Sequence, residues 1–344
     1  MNAPLVSIGC PIYNRPLTFK KMLDSLLSQT YKNIEIIIGD NSENNESEII
    51  YKEYITDTRI KYYKHNNNIG AVNNFVFVRD KSEGKYFMWT ADDDYWDNTF
   101  IEKAVEKLEN CPEAVACWSG IQFFDDNGII SGNNGIINTH ISYNQDLSND
   151  CIVDALIKYN TQTAWYEFYC LMKTDIAKNF DFLKYNKILG VDVLFTNYLI
   201  LSGKCLMINE TLFHYYVSLG KYDLTSEIYN EYARVNMSLD LFIKCFQLIL
   251  HSKKIKVYQK LLFYIKLWYN QIFYNQHYLY IISINIIAFF KIVIRKRNYS
   301  IIFICFPLFL FLIFSGFVVV KYYKKLLMKF KELLKKILKK LKIL

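Results

Sequence analysis

The sequence lacks several patterns that mark metal-stabilised, haem-binding or exported proteins. It has 8 cysteines but no Cys-x-x-Cys pair and no His and Cys grouping at metal-ligand spacing, which argues against structural zinc and attached haem. It also lacks an internal repeat. No basic stretch followed by an apolar run of the signal-peptide kind precedes the first strand-like segment. We therefore expect the amino-terminal part to fold in a reducing cytoplasm.

Acidic residues are almost absent from the carboxyl-terminal part of the chain. After Asp240 there are 20 basic residues and 1 acidic residue, so the formal charge is +19 there and −11 before it. This asymmetry predicts an acidic globular body followed by a basic region that meets an anionic partner. Because the lysines lie beside apolar runs, we expect that partner to be a membrane surface and not nucleic acid.

The apolar runs support the same interpretation. Residues 301–320 carry no charge over a length that can span a bilayer as a helix, although Pro307 and Gly316 would kink it. We predict a helical region over 226–275, one or two hydrophobic membrane segments over 276–320, and a basic amphipathic helix over 321–344. The alternative is a buried core helix followed by a solvated basic tail.

Residues 4–125 alternate short β-branched runs with helical patterns, which is typical of a parallel sheet with crossover helices. Helical periodicity predicts helices over Leu17–Gln29 and Thr99–Glu109. The predicted strands are Leu5–Cys10, Ile34–Gly39, Ile60–Lys64, Tyr86–Thr90 and Ala114–Trp118. The body is therefore expected to be an α/β fold, with a crevice at the carboxyl ends of its strands.

Three consecutive carboxylates, Asp92–Asp94, directly follow one of these strands. Like charges in a row repel, so a cation is the usual compensation. Carboxylate oxygens suit Mg²⁺ or Mn²⁺ when the ion is shared with a diphosphate. The alternative is an acidic turn that caps the next helix.

Four stretches in order carry a resemblance to a known family. They are Val6–Arg15 (VSIGCPIYNR), Ser28–Ser42 (SQTYKNIEIIIGDNS), Asn66–Asn74 (NNNIGAVNN) and the aspartate triplet. Together they closely resemble the family 2 glycosyltransferases, strongly over 4–125 and loosely over 126–220. The resemblance implies a GT-A-type fold, with a Rossmann-like mixed sheet flanked by helices, and a catalytic domain over 1–225 whose halves are 1–125 for the donor and 126–225 for the acceptor. A membrane-associated helical region is expected to follow.

The resemblance also implies a nucleotide-diphospho-sugar donor. The implied donor-binding residues are Pro11, Tyr13, Asn14, Asp40, Asn68, Gly70, Asn74 and Asp92. The first three would line the base and ribose pocket, Asp40 would accept a hydrogen bond from the base, and the 68–74 segment would pass near the base or the sugar. The alternative for that segment is the start of a helix with Asn caps. Many relatives have an acidic residue where this chain has Arg15.

For the metal, the resemblance implies Mn²⁺ or Mg²⁺ held by Asp93, Asp94 and His214. The register is ambiguous, because Asp92 and Asp94, or Asp93 and Asp94, match the family's acidic pair. A histidine among aromatic residues is also typical of a core position, so His214 has that alternative.

Asp192 matches the family's later acidic motif and would be the general base, although Val191 replaces a Glu that is common there. Its alternative is a helix cap. Trp165, Tyr166 and Glu167 are candidates to stack on and hydrogen-bond an acceptor sugar, and the alternative is an aromatic cluster in the core.

These features predict an inverting, metal-dependent glycosyltransferase on the cytoplasmic face of a membrane, acting on a lipid-linked or surface glycan. Two other functions remain open: a polyprenyl-phosphate sugar synthase, and a non-catalytic membrane-anchored protein that binds nucleotide or glycan.

Overall fold

The computed structural model describes residues 3–126, 128–129, 166–185 and 190–216, with short stretches between 152 and 159 and between 244 and 255. All of them belong to one compact unit, Met1–Gln271. The predicted segments 276–320 and 321–344 lie outside the described residues, as does nearly all of the predicted helical region 226–275. Within the described residues, no helix combines the length and apolar content needed to cross a bilayer.

The first part of the chain alternates strands and helices, as predicted. The strands are β1 (Val6–Ile12), β2 (Ile34–Asp40), β3 (Ile60–Lys64) and β4 (Tyr86–Trp89). The helices between them are α1 (Pro16–Leu27), α2 (Glu46–Lys52) and α3 (Ala71–Asp80). These strands are parallel and lie in the order β3-β2-β1-β4, so the order reverses beside β1. In open α/β sheets, this reversal opens a crevice at the carboxyl ends of the strands.

The second part of the chain makes the sheet mixed. The further strands are β5 (Tyr95–Trp96), β6 (Ala114–Asp125), β7 (Gly128–Ile129), β8 (Leu171–Lys173) and β9 (Lys204–Tyr216). The further helices are α4 (Phe100–Glu109), α5 (Thr174–Lys178) and α6 (Val191–Ser202), with 3-10 turns at Tyr166–Tyr169 and Leu183–Tyr185. The order continues β4-β8-β6-β9-β5, and β8 is antiparallel to both of its neighbours.

This pairing brings the ends of several strands to one edge of the sheet. Because β8 is antiparallel to β4, its start lies beside the carboxyl end of β4, and the Tyr166–Tyr169 turn therefore lies there too. On its other side β8 pairs with Ala116 and Cys117 of β6. β9 runs parallel to β6, so its carboxyl end reaches the same edge. We call this edge, where β1, β2, β3, β4, β6 and β9 all end, the carboxyl edge.

Buried side chains cover both faces of the sheet. On one face, Ile8 packs with Phe19 of α1 and Phe100 of α4. On the other face, the indole of Trp89 stacks on Phe168 at a centroid distance of 4.7 Å. Helix α3 approaches the sheet closely over Gly39, because a Cβ there would lie 2.2 Å from the Asn74 side-chain oxygen.

The predicted mixed α/β architecture is confirmed, and three strands extend past their predicted ends. β2 continues by one residue to Asp40. β1 continues past Cys10 to Ile12, which places Pro11 inside the strand. β6 continues past Trp118 to Asp125 because β9 pairs with it as far as Phe124. A partner strand about 90 residues away leaves no local signal in the sequence of β6.

Candidate functional site

Backbone and side-chain hydrogen bonds join the loops that follow β1, β2 and β4. The Tyr13 N–H donates to Asp92 Oδ2 at 2.9 Å, and the Asn14 N–H donates to Ser42 Oγ at 2.9 Å. Asn14 adopts φ 53°, a left-handed conformation that Asn tolerates better than most residues, and its side-chain oxygen accepts the Glu43 N–H. The three loops therefore form one continuous surface at the carboxyl edge.

Tyr13 presents an open aromatic ring on this surface. Its side chain is 44% exposed, while its hydroxyl donates to Glu43 Oε1 at 3.3 Å. An exposed ring held at its polar end is suited to stacking on a planar base. Pro11 is buried within β1 and pairs with Gly39, so it lies behind this surface.

Asp40 is fully buried at the end of β2, and its carboxylate is used within the fold. Its Oδ1 accepts the Ser42 N–H at 2.7 Å, and its Oδ2 accepts the Tyr62 hydroxyl and Lys64 Nζ. A base contact by Asp40 would have to replace one of these partners. Sequence reasoning missed Tyr62 and Lys64, although their place at the end of an adjacent predicted strand could have indicated them.

The 68–74 segment is built around side-chain amides. Asn68 accepts the Gly70 N–H at 2.8 Å, and Gly70 adopts φ 83° directly before α3. Asn74 lies inside α3, is 2% exposed, and donates to the Gly39 carbonyl at 2.7 Å. Its side-chain oxygen faces His65 Nε2 at 3.0 Å. Asn74 thus ties α3 to β2, while Asn68 shapes the turn before the helix.

The aspartate triplet lies directly beyond β4 and is held from several sides. Asp92 is 6% exposed and accepts the Tyr13 N–H through Oδ2. Arg15 Nη1 lies 3.0 Å from Asp92 Oδ1 and 2.5 Å from Asp93 Oδ2. Asp94 is 1% exposed, and its Oδ1 accepts the Tyr216 N–H at 2.9 Å. The triplet is therefore joined both to the β1 loop and to the end of β9.

Burial changes the electrostatics of the triplet. Desolvation raises the pKa of Asp92 to about 6, although Arg15 opposes the rise. Desolvation and the adjacent charge of Asp93 raise the pKa of Asp94 well above its usual value. Asp94 Oδ2 is buried without a hydrogen-bond partner. A buried, unpartnered carboxylate oxygen beside two more carboxylates fits a divalent cation that takes its other ligands from phosphate and water.

His214 lies on β9, where it contacts an aromatic ring and an aspartate of the β5 segment. Its ring stacks on Tyr95 at 4.2 Å, and its Nε2 lies 3.3 Å from Asp97 Oδ1. Lys21 Nζ lies over the ring of Tyr95, 4.0 Å from its centroid. Among the described residues, no group of three or more His, Cys, Asp or Glu side chains is arranged to hold a metal ion by itself. Because His214 Nδ1 is buried without a hydrogen-bond partner, the prediction that His214 joins Asp93 and Asp94 stays a prediction.

Asp192 lies in the first turn of α6, after Gly190, which adopts φ 87°. It is not the N-cap residue, and its Oδ1 accepts the N–H of the next residue, Val193, at 2.9 Å. Burial raises its pKa. Because α6 leads directly into the amino end of β9, its own start lies towards the carboxyl edge.

The electrostatics of Tyr169 connect Asp192 to the triplet. Burial and the negative charges of Asp94, Asp93 and Asp192 all raise the pKa of this phenol. The phenol therefore lies within electrostatic range of both the triplet and the carboxylate predicted as the base. The negative charges that act on Tyr169 thus come from two segments, the loop after β4 and the start of α6.

Glu167 is a further carboxylate in this region. It is 3% exposed, its Oε2 is buried without a hydrogen-bond partner, and burial raises its pKa to about 7. It lines a small recess whose other members are Trp96, Trp118, Ser119, Ile121, Tyr166, Tyr169 and Phe213. The adjacent Trp165 lies outside the described residues. The recess is mostly aromatic and has about the size of a single water molecule.

Two solved structures share the fold. The crystal structure of S. aureus TarS 1-349 in complex with UDP-GlcNAc matches with a TM-score of 0.56 and 14% identity, covering 79% of this chain and 74% of that chain. The mannosyltransferase PcManGT from Pyrobaculum calidifontis, in complex with GDP-Man and Mn²⁺, matches with a TM-score of 0.51 and 12% identity, covering 87% and 81%. At these identities the likeness concerns the fold alone.

Sequence relatives match over the first part of the chain. The UDP-Glc:alpha-D-GlcNAc-diphosphoundecaprenol beta-1,3-glucosyltransferase WfaP of Escherichia coli is 40% identical over 106 residues, which cover 30% of this chain and 41% of WfaP. An uncharacterized glycosyltransferase of Rickettsia typhi is 36% identical over 118 residues, covering 33% and 36%. The chain thus spans about two-fifths of the length of these relatives.

The family description "Glycosyl transferase family 2" matches residues 7–216, more than half of the chain. The matched range begins in β1 and ends with β9, so it includes the three joined loops, the triplet and Asp192. The chain belongs to glycosyl transferase family 2.

Proposed function

We propose that the protein is an inverting, metal-dependent glycosyltransferase that moves a sugar from a nucleotide-diphospho-sugar to a hydroxyl group of a lipid-linked or cell-surface glycan. One observation carries the proposal: three groups of different chemistry meet at the carboxyl edge. They are the exposed ring of Tyr13, the unpartnered carboxylate oxygen of Asp94, and the raised-pKa carboxylate of Asp192. They suit, respectively, a base, a cation shared with a diphosphate, and an acceptor hydroxyl.

The donor would bind across the loops that follow β1, β2 and β4. The ring of Tyr13 would stack on the base, and Asp92, fixed by the Tyr13 N–H, would face the ribose or the sugar. Asp93 and Asp94 would hold Mn²⁺ or Mg²⁺. When bound, such an ion neutralises charge that develops on the leaving diphosphate. TarS and PcManGT, which share the fold, were crystallised with UDP-GlcNAc and with GDP-Man and Mn²⁺.

The acceptor hydroxyl would lose its proton to Asp192. Burial raises the pKa of this carboxylate, which makes it a stronger base than an exposed aspartate. The hydroxyl oxygen then forms a bond to the anomeric carbon as the bond to the diphosphate breaks, so a single displacement inverts the configuration. No covalent intermediate on the protein is needed.

A membrane location would bring the site to a lipid-linked acceptor. The carboxyl-terminal part of the chain combines a formal charge of +19 with the uncharged run 301–320, which suits an anionic bilayer surface. The relative WfaP is named for a diphosphoundecaprenol-linked acceptor. We place the catalytic domain on the cytoplasmic side, where nucleotide-sugars are made.

The test uses the full-length protein in detergent. Calorimetry with UDP-Glc, UDP-GlcNAc and GDP-Man, with Mn²⁺ and with chelator, should reveal metal-dependent binding of one donor. Asp94→Asn should abolish that dependence, whereas Asp175→Asn, which changes an exposed aspartate on α5, should leave it intact. Absence of donor binding by the folded wild-type protein would refute the enzyme proposal and favour a role without turnover.

A second variant tests the acceptor chemistry. Asp192→Asn should bind the donor normally and lose transfer to a synthetic GlcNAc-diphospho-lipid by a factor of about 100 or more. If it transfers sugar at the wild-type rate to a polyprenyl phosphate, the acceptor is a phosphate that needs no base. That result would replace the proposed acceptor class.

A further inference from the structure

The side chain of Arg15 bridges two members of the aspartate triplet. Arg15 directly precedes α1, and its Nη1 contacts both Asp92 Oδ1 and Asp93 Oδ2. The arginine side chain is 42% exposed, whereas those of Asp92 and Asp93 are 8% and 17% exposed. A partly exposed cation thus lies on one buried and one partly buried carboxylate, at the point where a donor's diphosphate would arrive.

The three carboxylates differ in how the fold holds them. Backbone N–H groups bind Asp92 from the β1 loop and Asp94 from the end of β9. The contact that joins Asp93 to another segment comes from the side chain of Arg15, and the backbone N–H of Asp93 itself also acts on its carboxylate. A side-chain partner can leave without breaking backbone structure, so Asp93 can exchange this partner.

We propose that Arg15 is an exchangeable counter-cation, which leaves Asp93 when a divalent ion binds and then binds the diphosphate of the donor. The proposal rests on the proposed function. A guanidinium and a divalent ion repel each other, and both need the Asp93 carboxylate, so their binding is mutually exclusive there. The planar fork of the released guanidinium matches phosphate oxygens, and 42% of the side chain is exposed to solvent, from which the donor arrives.

This exchange has a consequence that a purely structural arginine would not produce. Removing the positive charge of Arg15 should strengthen metal binding, because the metal no longer has to displace the guanidinium. The same change should weaken binding of the nucleoside diphosphate, because a partner of its phosphates is lost. An Arg15 that only orders the β1 loop would support both ligands, so its loss would lower the affinity for both.

The test measures the two affinities separately in the full-length protein in detergent. Mn²⁺ binding without nucleotide is followed by electron paramagnetic resonance, and binding of UDP, GDP, CDP, ADP and dTDP at saturating Mn²⁺ is followed by calorimetry. Arg15→Gln should bind Mn²⁺ about fivefold more tightly, the size of a partly exposed ion pair. It should bind the preferred diphosphate about tenfold or more weakly, the size of a charged hydrogen bond.

Two further variants control the result. Arg15→Lys keeps the charge but lacks the fork, so Mn²⁺ affinity should stay near the wild-type value while diphosphate affinity falls. Arg59→Gln makes the same charge change at the opposite edge of the sheet, where Arg59 pairs with Asp57, and should alter neither affinity. Circular dichroism establishes that each variant is folded.

Two outcomes would overturn the exchange. In one outcome, Arg15→Gln lowers the affinity for both Mn²⁺ and the diphosphate. In the other, the wild-type protein binds both ligands and Arg15→Gln changes neither affinity. If the wild-type protein binds Mn²⁺ but none of the five diphosphates, the proposed function fails and the exchange fails with it. The wild-type measurement therefore separates failure of the function from failure of the exchange alone.

Discussion

Glu167 allows a quantitative test of the electrostatics at the carboxyl edge. The side chain is 3% exposed, one of its oxygens has no hydrogen-bond partner, and burial raises its pKa from 4.5 to about 7. In the unfolded chain the same carboxyl loses its proton near its ordinary pKa. Between these two values the folded protein binds more protons than the unfolded chain, so the free energy of unfolding must fall as pH rises.

The magnitude follows from the size of the shift. One pKa unit corresponds to about 1.4 kcal/mol, so Glu167 should lower the free energy of unfolding by about 3 kcal/mol between pH 4 and pH 8. Glu167→Gln removes the titration and keeps the shape of the side chain. The variant should therefore resemble the wild-type protein in stability near pH 4 and exceed it by about 3 kcal/mol at pH 8.

Urea unfolding of full-length protein in detergent, followed by tryptophan fluorescence at several pH values, measures this difference. Other groups that titrate contribute equally to both proteins and cancel in the comparison. Glu106→Gln is a matched control, because Glu106 is exposed on α4, and its curve should parallel the wild-type curve at every pH. A stability difference between Glu167→Gln and wild type that stays constant from pH 4 to pH 8 would show that Glu167 is not desolvated.

Three further predictions concern other positions. Gly39→Ala should lower the free energy of unfolding by about 1–3 kcal/mol in urea titrations, because the new Cβ would lie 2.2 Å from the Asn74 oxygen; an unchanged midpoint would contradict this packing. Arg79→Met should lower it by about 2–4 kcal/mol, since the buried guanidinium donates to the Phe180 carbonyl at 2.9 Å, and wild-type stability would argue against that bond. If Asp192 is the base, kcat/KM should rise with pH through a pKa above 3.8, and a profile flat down to pH 4 would exclude it.

The fold was predictable to the extent that its signals are local. The β-branched runs and the helical periodicity of α1 and α4 identify the first sheet half, because each element buries a continuous face. The pairing of β8 between β4 and β6 was not predictable, since it depends on a strand of three residues. The length of β6 depends in the same way on β9.

In the candidate site, too, groups marked by local motifs were predictable and their long-range partners were not. Motif order indicated Tyr13 and the triplet, and the structure brings them together through the bond from the Tyr13 N–H to Asp92. The surroundings of His214 were not predictable, because its partner Asp97 lies 117 residues earlier and outside every predicted strand. Local sequence specifies which groups can ionise, whereas the neighbours that shift or neutralise their charge come from distant segments.

The sequence does not decide which two members of the aspartate triplet match the family's acidic pair. Long-range hydrogen bonds distinguish the three carboxylates. Asp92 is tied to Tyr13, 79 residues earlier, and Asp94 to Tyr216, 122 residues later. The two outer carboxylates therefore belong to opposite sides of the site, one with the β1 loop and the other with β9. Asp93 lies between them and pairs with Arg15. If Arg15 leaves Asp93 as proposed, Asp92 would stay with the β1 loop to order the nucleotide, while Asp93 and Asp94 would admit the cation on the other side.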